Sequence, residues 1–119
     1  MSIGVFYFKT ADNKNANYRI GNLEKLTGKE ANAIREEIKD LMDSGFEKIF
    51  VDAKNVSEAD LSGINEIIHA HYLLQNTNKK IVLVYCSNSV VEKWVNTTGL
   101  DRFVETAIIP DILKKELSS

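Results

Sequence analysis

Two runs of consecutive apolar residues constrain this 119-residue chain more than any other feature: Ile49-Phe50-Val51 and Ile81-Val82-Leu83-Val84. A strand with one face in water alternates apolar and polar residues. An unbroken apolar block therefore predicts a strand buried on both faces, as in parallel sheets. Around these blocks apolar residues recur at three- and four-residue steps, the period of an amphipathic helix. Ala31, Ile34, Ile38 and Leu41 mark a first helix. Thr27-Gly28-Lys29-Glu30 opens it with capping-box spacing, and Gly45 supplies its stop. Leu61, Ile64, Ile67, Ile68, His71 and Leu74 form the apolar face of a second, over Leu61–Gln75. Ser89-Val90-Val91-Glu92 opens a shorter third that carries Trp94 and Val95 and ends at Gly99. Pro110 suits the first turn of a closing helix with Ile112, Leu113 and Leu117 on its apolar side.

Strands are expected at Ile3–Lys9, Tyr18–Leu23, Phe46–Asp52, Lys80–Cys86 and Phe103–Ile109, with a polar loop over Thr10–Ala16. After the opening pair, strand and helix alternate with short connections. That order predicts an α/β fold, a mixed and mostly parallel sheet covered by about four helices, joined by right-handed crossovers. Residues 1–119 form one domain in this reading. Hydrophobic residues are 44% of the chain and charged residues 27%, the balance of a soluble globular domain. The net charge of -2 comes with no basic stripe, which argues against nucleic acid as a partner. Cys86 is the single cysteine, so no internal disulfide can form and a reducing cytoplasm fits. The N-terminus has no leader pattern, and no apolar run approaches the roughly 20 residues of a spanning helix, so no membrane role is expected.

Groups for catalysis are sparse. No glycine-rich phosphate or dinucleotide fingerprint occurs, so no cofactor is expected. His69 and His71 are two apart on a helix, point to different faces and cannot share a metal. Cys86 closes a buried strand and reads as a packed thiol. Asp52 ends a buried strand, where a phosphoacceptor aspartate could stand. That chemistry needs an acidic pair after the first strand to hold magnesium, but the opening strands end in Lys9-Thr10 and Gly21-Asn22. Asp52 is expected instead to bind loop amides in the following turn.

The segment Val51–Asn65 carries the remaining chemistry. Asp60 is placed to cap the helix that follows. Ser62 falls in its first turn, and Gly63 beside it leaves the hydroxyl approachable. A phosphate on Ser62 would meet free backbone N–H groups and the positive end of the helix dipole. It would add nearly two negative charges beside Glu58, Asp60 and Glu66. On these residues alone, a plain helix-start serine is the simpler explanation of Ser62.

The order of elements adds to this. An Asp-x-Ser-Gly after a buried strand ending in Val-Asp resembles the STAS domain, the fold of the anti-sigma factor antagonists. Arg19–Leu23 resembles the family's first strand-Gly-x-Leu, Phe46–Asp52 its central strand, and Asp60–Ile64 its Asp-Ser-Ser-Gly-Leu signature. Lys80–Tyr85 resembles its next strand, and Thr98–Phe103 its Thr-Gly-Leu turn. The resemblance covers nearly the whole chain. It implies a bacterial, cytoplasmic regulator of transcription without catalysis of its own. Its partner would be a serine-protein kinase that doubles as an anti-sigma factor. Ser62 would be the phosphoacceptor, and Asp60, Leu61, Gly63, Asn65 and Glu66 would lie at the contact surface. Unphosphorylated protein would bind the kinase, and phosphorylation would release it. Three positions depart from the pattern: Leu61 replaces a serine, Asn65 a small residue, and Ala59 a larger apolar one. The alternative within the same fold is a STAS scaffold, a subunit of a lipid-transport or stress-signalling assembly without a phospho-switch. An enzyme or nucleotide-binding module is a third class, for which the chain offers no phosphate cradle beyond single helix N-termini.

Overall fold

The computed structural model describes residues 4–9, 16–21, 23–43 and 47–110, with the backbone alone for 4–9 and 16. The strands are β1 Gly4–Lys9, β2 Ala16–Gly21, β3 Lys25–Leu26, β4 Lys48–Asp52, β5 Glu58–Ala59, β6 Lys80–Cys86 and β7 Glu105–Ile109. The helices are α1 Gly28–Leu41, α2 Leu61–Leu73 and α3 Val90–Thr98, with a short 3-10 turn at Leu100–Arg102. Five strands form one sheet in the order β1-β2-β4-β6-β7. β1 and β2 run antiparallel, and every later neighbour is parallel. The expected mixed, mostly parallel sheet is therefore present. The described residues hold three α-helices rather than about four. The expected closing helix after Pro110, and the stop at Gly45, lie outside the described residues.

Each crossover steps one strand further in the same direction. Right-handed connections then carry α1, α2 and α3 to one face of the sheet. Their buried residues, Ile34, Ile38, Ile64, Ile67, Val91 and Val95 among them, share one core with Ile20, Ile49, Val51, Ile81, Leu83 and Tyr85. On the opposite face Val82 is also buried, and an ion pair between Lys48 and Glu105 (3.4 Å) crosses β6 beside it. The apolar run in β6 is thus covered on both sides at Val82. The block in β4 is less complete, because Phe50 is only half-buried.

The helix caps follow the sequence with two differences. Ser89 Oγ accepts from the Glu92 amide at 3.2 Å, and Gly99 ends α3 in the left-handed conformation at φ 71°. Thr27, in contrast, donates its hydroxyl to the Glu30 carboxylate and caps no amide. That hydrogen bond holds the Glu30 carboxyl below its ordinary range. The helix expected over Leu61–Gln75 stops at Leu73. Leu61, expected on its apolar face, is instead 49% exposed. The buried stripe is Gly63, Ile64, Ile67, Ala70 and Leu74, and Leu61 lies on the other side of the helix from it.

Candidate functional site

β4 delivers the chain to the site through Asp52, a carboxylate only 8% exposed. Its Oδ2 accepts from Arg19 Nη2 at 2.7 Å and Nε at 3.0 Å, and from Lys54 Nζ at 2.6 Å. Its Oδ1 accepts from the Lys54 amide at 3.2 Å. Burial opposes ionisation of this group, but the hydrogen bonds from Lys54 and Arg19 outweigh it and hold the carboxyl below its ordinary range. The expected loop amide is there, and two cations join it. Cys86 is buried, and its thiol donates to the Lys54 carbonyl at 3.4 Å. The start of the loop is therefore fixed from β2 and β6 together.

The rest of the loop is pinned by an element with no sequence signal. β3 and β5 form a two-stranded parallel ladder, Lys25 opposite Glu58 and Leu26 opposite Ala59. The Asp60 amide donates to the Leu26 carbonyl at 3.3 Å, and the Ser57 amide to the Glu24 carbonyl at 3.0 Å. From α3, Trp94 Nε1 donates to the Ala59 carbonyl at 3.1 Å. Ser57 and Glu58 open no helix, although their spacing to Asp60 loosely matches a capping box.

Asp60 caps α2 as expected: its Oδ1 accepts from the Gly63 amide at 2.8 Å. Ser62 is exposed in the first turn, and its side chain makes no hydrogen bond among the described residues. Gly63 has a different role from the one its position suggests. It is buried, and a Cβ there would overlap the Leu26 carbonyl oxygen. Gly63 therefore seats α2 on the β3–α1 turn and gives a partner no side-chain surface. Leu61 and Asn65 are exposed and flank Ser62. Glu66 is 19% exposed and pairs with Arg35 of α1 at 3.1 Å. Glu58 pairs with Lys25 at 3.5 Å. The acids beside Ser62 are engaged: Asp60 in the cap, and the two glutamates with cationic neighbours.

Sequence reasoning missed the contributions of Arg19, Lys54 and Trp94. Lys54 carried a weak signal, a cation two residues beyond a buried aspartate. Arg19 and Trp94 lie more than 30 residues from their partners and carried none. His69 is exposed and His71 half-buried, its ring 5.5 Å from that of Tyr72. Among the described residues no group of His, Cys, Asp and Glu forms a metal site. A cavity of about 450 Å³ lies at the far end of α2, between His71, Lys80 and Phe103. It shares no residue with the loop. No helix among the described residues is long and apolar enough to cross a membrane.

Comparison with known proteins agrees with this architecture. No curated protein sequence matches the chain. The crystal structure of a candidate anti-sigma factor antagonist from Thermotoga maritima, TM1081, superposes with a TM-score of 0.66 at 19% identity, over 94% of this chain and 90% of that one. The NMR structure of TM1081 gives 0.65 at 19% identity, over 95% and 85%. At that identity the likeness establishes the fold. The STAS domain family matches residues 23–112, which span β3 through β7 and the candidate site apart from Arg19, and the chain belongs to that family.

Proposed function

We propose that this protein is an anti-sigma factor antagonist, an interaction domain without catalysis of its own that is switched by phosphorylation of Ser62. The observation that carries the reading is the state of Ser62 itself. It stands exposed in the first turn of α2, on a loop held from β2, β3, β6 and α3, while Asp60 does the capping. A phosphate on its hydroxyl would lie at the positive end of the α2 dipole, so the domain would stay folded. The same group would add nearly two negative charges beside the exposed, apolar Leu61. A partner packed on Leu61 and Asn65 would then have to bury a dianion, and the complex would be lost. TM1081, the described relative in fold, is itself regarded as a candidate antagonist.

The test supplies the partner serine kinase and ATP and locates the phosphate by mass spectrometry. Phosphate on Ser62 is expected, and phosphate elsewhere or nowhere refutes the reading. Ser62→Ala should bind the kinase as the unmodified protein does, and Ser62→Asp should bind it at least ~10-fold more weakly. A second reading is favoured by the exposed apolar positions of α2. Leu61 and Tyr72 are each 49% exposed, on the same side of the helix. A scaffold subunit docked there would need no phosphate, and Ser62→Asp would leave its binding unchanged.

A further inference from the structure

We infer that Gly28, at the first position of α1, is a specificity-determining residue for phosphoryl transfer to Ser62: the missing side chain keeps one flank of the hydroxyl open. The inference rests on the proposed phosphorylation of Ser62 and names what makes that serine accessible. Gly28 is not required by its backbone, since Gly99 is the glycine with positive φ among the described residues. Nor does helix formation favour it, glycine being among the poorest helix formers. Packing shows what the position does. A Cβ on Gly28 would stand 3.0 Å from Ser62 Cβ and 3.9 Å from Ser62 Oγ. Apart from its own chain neighbours and helix backbone, it would meet no other heavy atom within 4 Å.

The two glycines of this junction therefore differ. Gly63 is needed because a backbone carbonyl occupies its side-chain space. Gly28 is half-exposed, and a side chain there would emerge into solvent directly beside the exposed Ser62. Ser62 Oγ lies 3.9 Å from that point, so the first atom of a side chain there would already be in van der Waals contact with the hydroxyl. Transfer needs this space. The Ser62 oxygen attacks the γ-phosphorus of ATP held by the kinase, and the bond from that phosphorus to the β–γ bridging oxygen breaks. ADP leaves, and the hydroxyl proton passes to a base on the kinase. Attacking and leaving oxygens must lie roughly in line, so a side chain on one flank obstructs approach; its Cβ, 3.0 Å from Ser62 Cβ, also requires α1 and α2 to give by a few tenths of an ångström.

The experiment separates access from the switch. Ser62→Cys is made in three backgrounds, Gly28, Gly28→Ala and Gly28→Val, and alkylation of the introduced thiol by iodoacetamide is followed by mass spectrometry. Cys86, 1% exposed, serves as the internal buried control. Alkylation should fall modestly with Gly28→Ala and about 10-fold with Gly28→Val, with cooperative thermal unfolding retained. Should Gly28→Val fail to fold, a roughly twofold or greater fall in Gly28→Ala carries the same conclusion. Unchanged alkylation in a folded variant overturns the inference. In the Ser62 protein, the partner kinase should phosphorylate the Gly28 variants more slowly in the same order. Slower alkylation with unchanged phosphorylation also overturns it. If alkylation falls while the unsubstituted protein is never phosphorylated, the clearance at Gly28 stands and the switch reading fails.

Discussion

Two helices of this domain start after parallel neighbours of the same sheet, and a serine stands at each start. After β6 the chain turns in three residues into α3. There Ser89 is held on both sides: its Oγ accepts from the Glu92 amide and donates to the Cys86 carbonyl at 2.6 Å. After β4 the chain takes an eight-residue loop before α2. There Asp60 occupies the capping position and Ser62 comes two residues later, its hydroxyl in solvent. The difference shows how a helix-start serine becomes available for chemistry. It must be relieved of the cap, and the loop carrying it must be fixed by other groups. Asp52, Arg19, Lys54, Trp94 and the β3–β5 ladder do that fixing.

Substitutions can break this contrast in order of size. The largest effect is expected from Gly63→Ala, whose Cβ would overlap the Leu26 carbonyl oxygen. It should lower unfolding stability by about 3 kcal/mol, the upper end of what overpacking costs, read as a fall in the urea midpoint. A stable, unchanged Gly63→Ala would show that α2 is not seated on the β3–α1 turn.

Next comes Asp52→Asn, expected to cost about 1–2 kcal/mol, because Arg19 and Lys54 are both part-exposed and would regain water when the carboxylate is lost. The pH dependence has a definite sign. The folded carboxyl lies below its ordinary value of 3.8, so the stability it contributes is complete above that value and is lost as pH falls through the lower, folded value. Urea midpoints between about pH 6 and pH 2 should fall below about pH 4 in the parent, and this component should vanish in Asp52→Asn.

The smallest pair sharpens the comparison most. Asp60→Ala and Ser89→Ala each remove one cap and should each cost about 1 kcal/mol. Only Asp60→Ala should also weaken partner binding, measured by titration with the kinase. Equal binding losses in both would mean that the two helix starts are not functionally distinct.

The large elements were legible because each carries a period or a block long enough to see. Lys80–Cys86 is a strand with the bounds its apolar run suggests, and α1 buries Ala31, Ile34 and Ile38 as spaced. What escaped is made by contacts between distant segments. Two-residue strands such as Lys25–Leu26 and Glu58–Ala59 have no periodicity and exist only as partners. The 3-10 turn at Leu100–Arg102 escaped for a similar reason, since it buries a single residue, Leu100. At the site, the Asp60 cap followed from helix-start chemistry, whereas the Gly63 contact depends on the backbone of Leu26, far earlier in the chain. Leu61 misled because its spacing to Ile64 fits an apolar face, yet the phase of α2 is set by Ile64, Ile67 and Ala70 together.

The indole of Trp94 has a use beyond holding the loop. It is the only tryptophan in the chain, and its N–H rests on the carbonyl immediately before the Asp60 cap. Light absorbed at the red edge of the protein spectrum is therefore emitted from one ring, in hydrogen-bond contact with the loop that leads into Ser62. The molecule carries its own fluorophore at the place where events are to be watched. Stopped-flow emission would follow the proposed kinase docking and phosphate arrival on unlabelled protein, in real time.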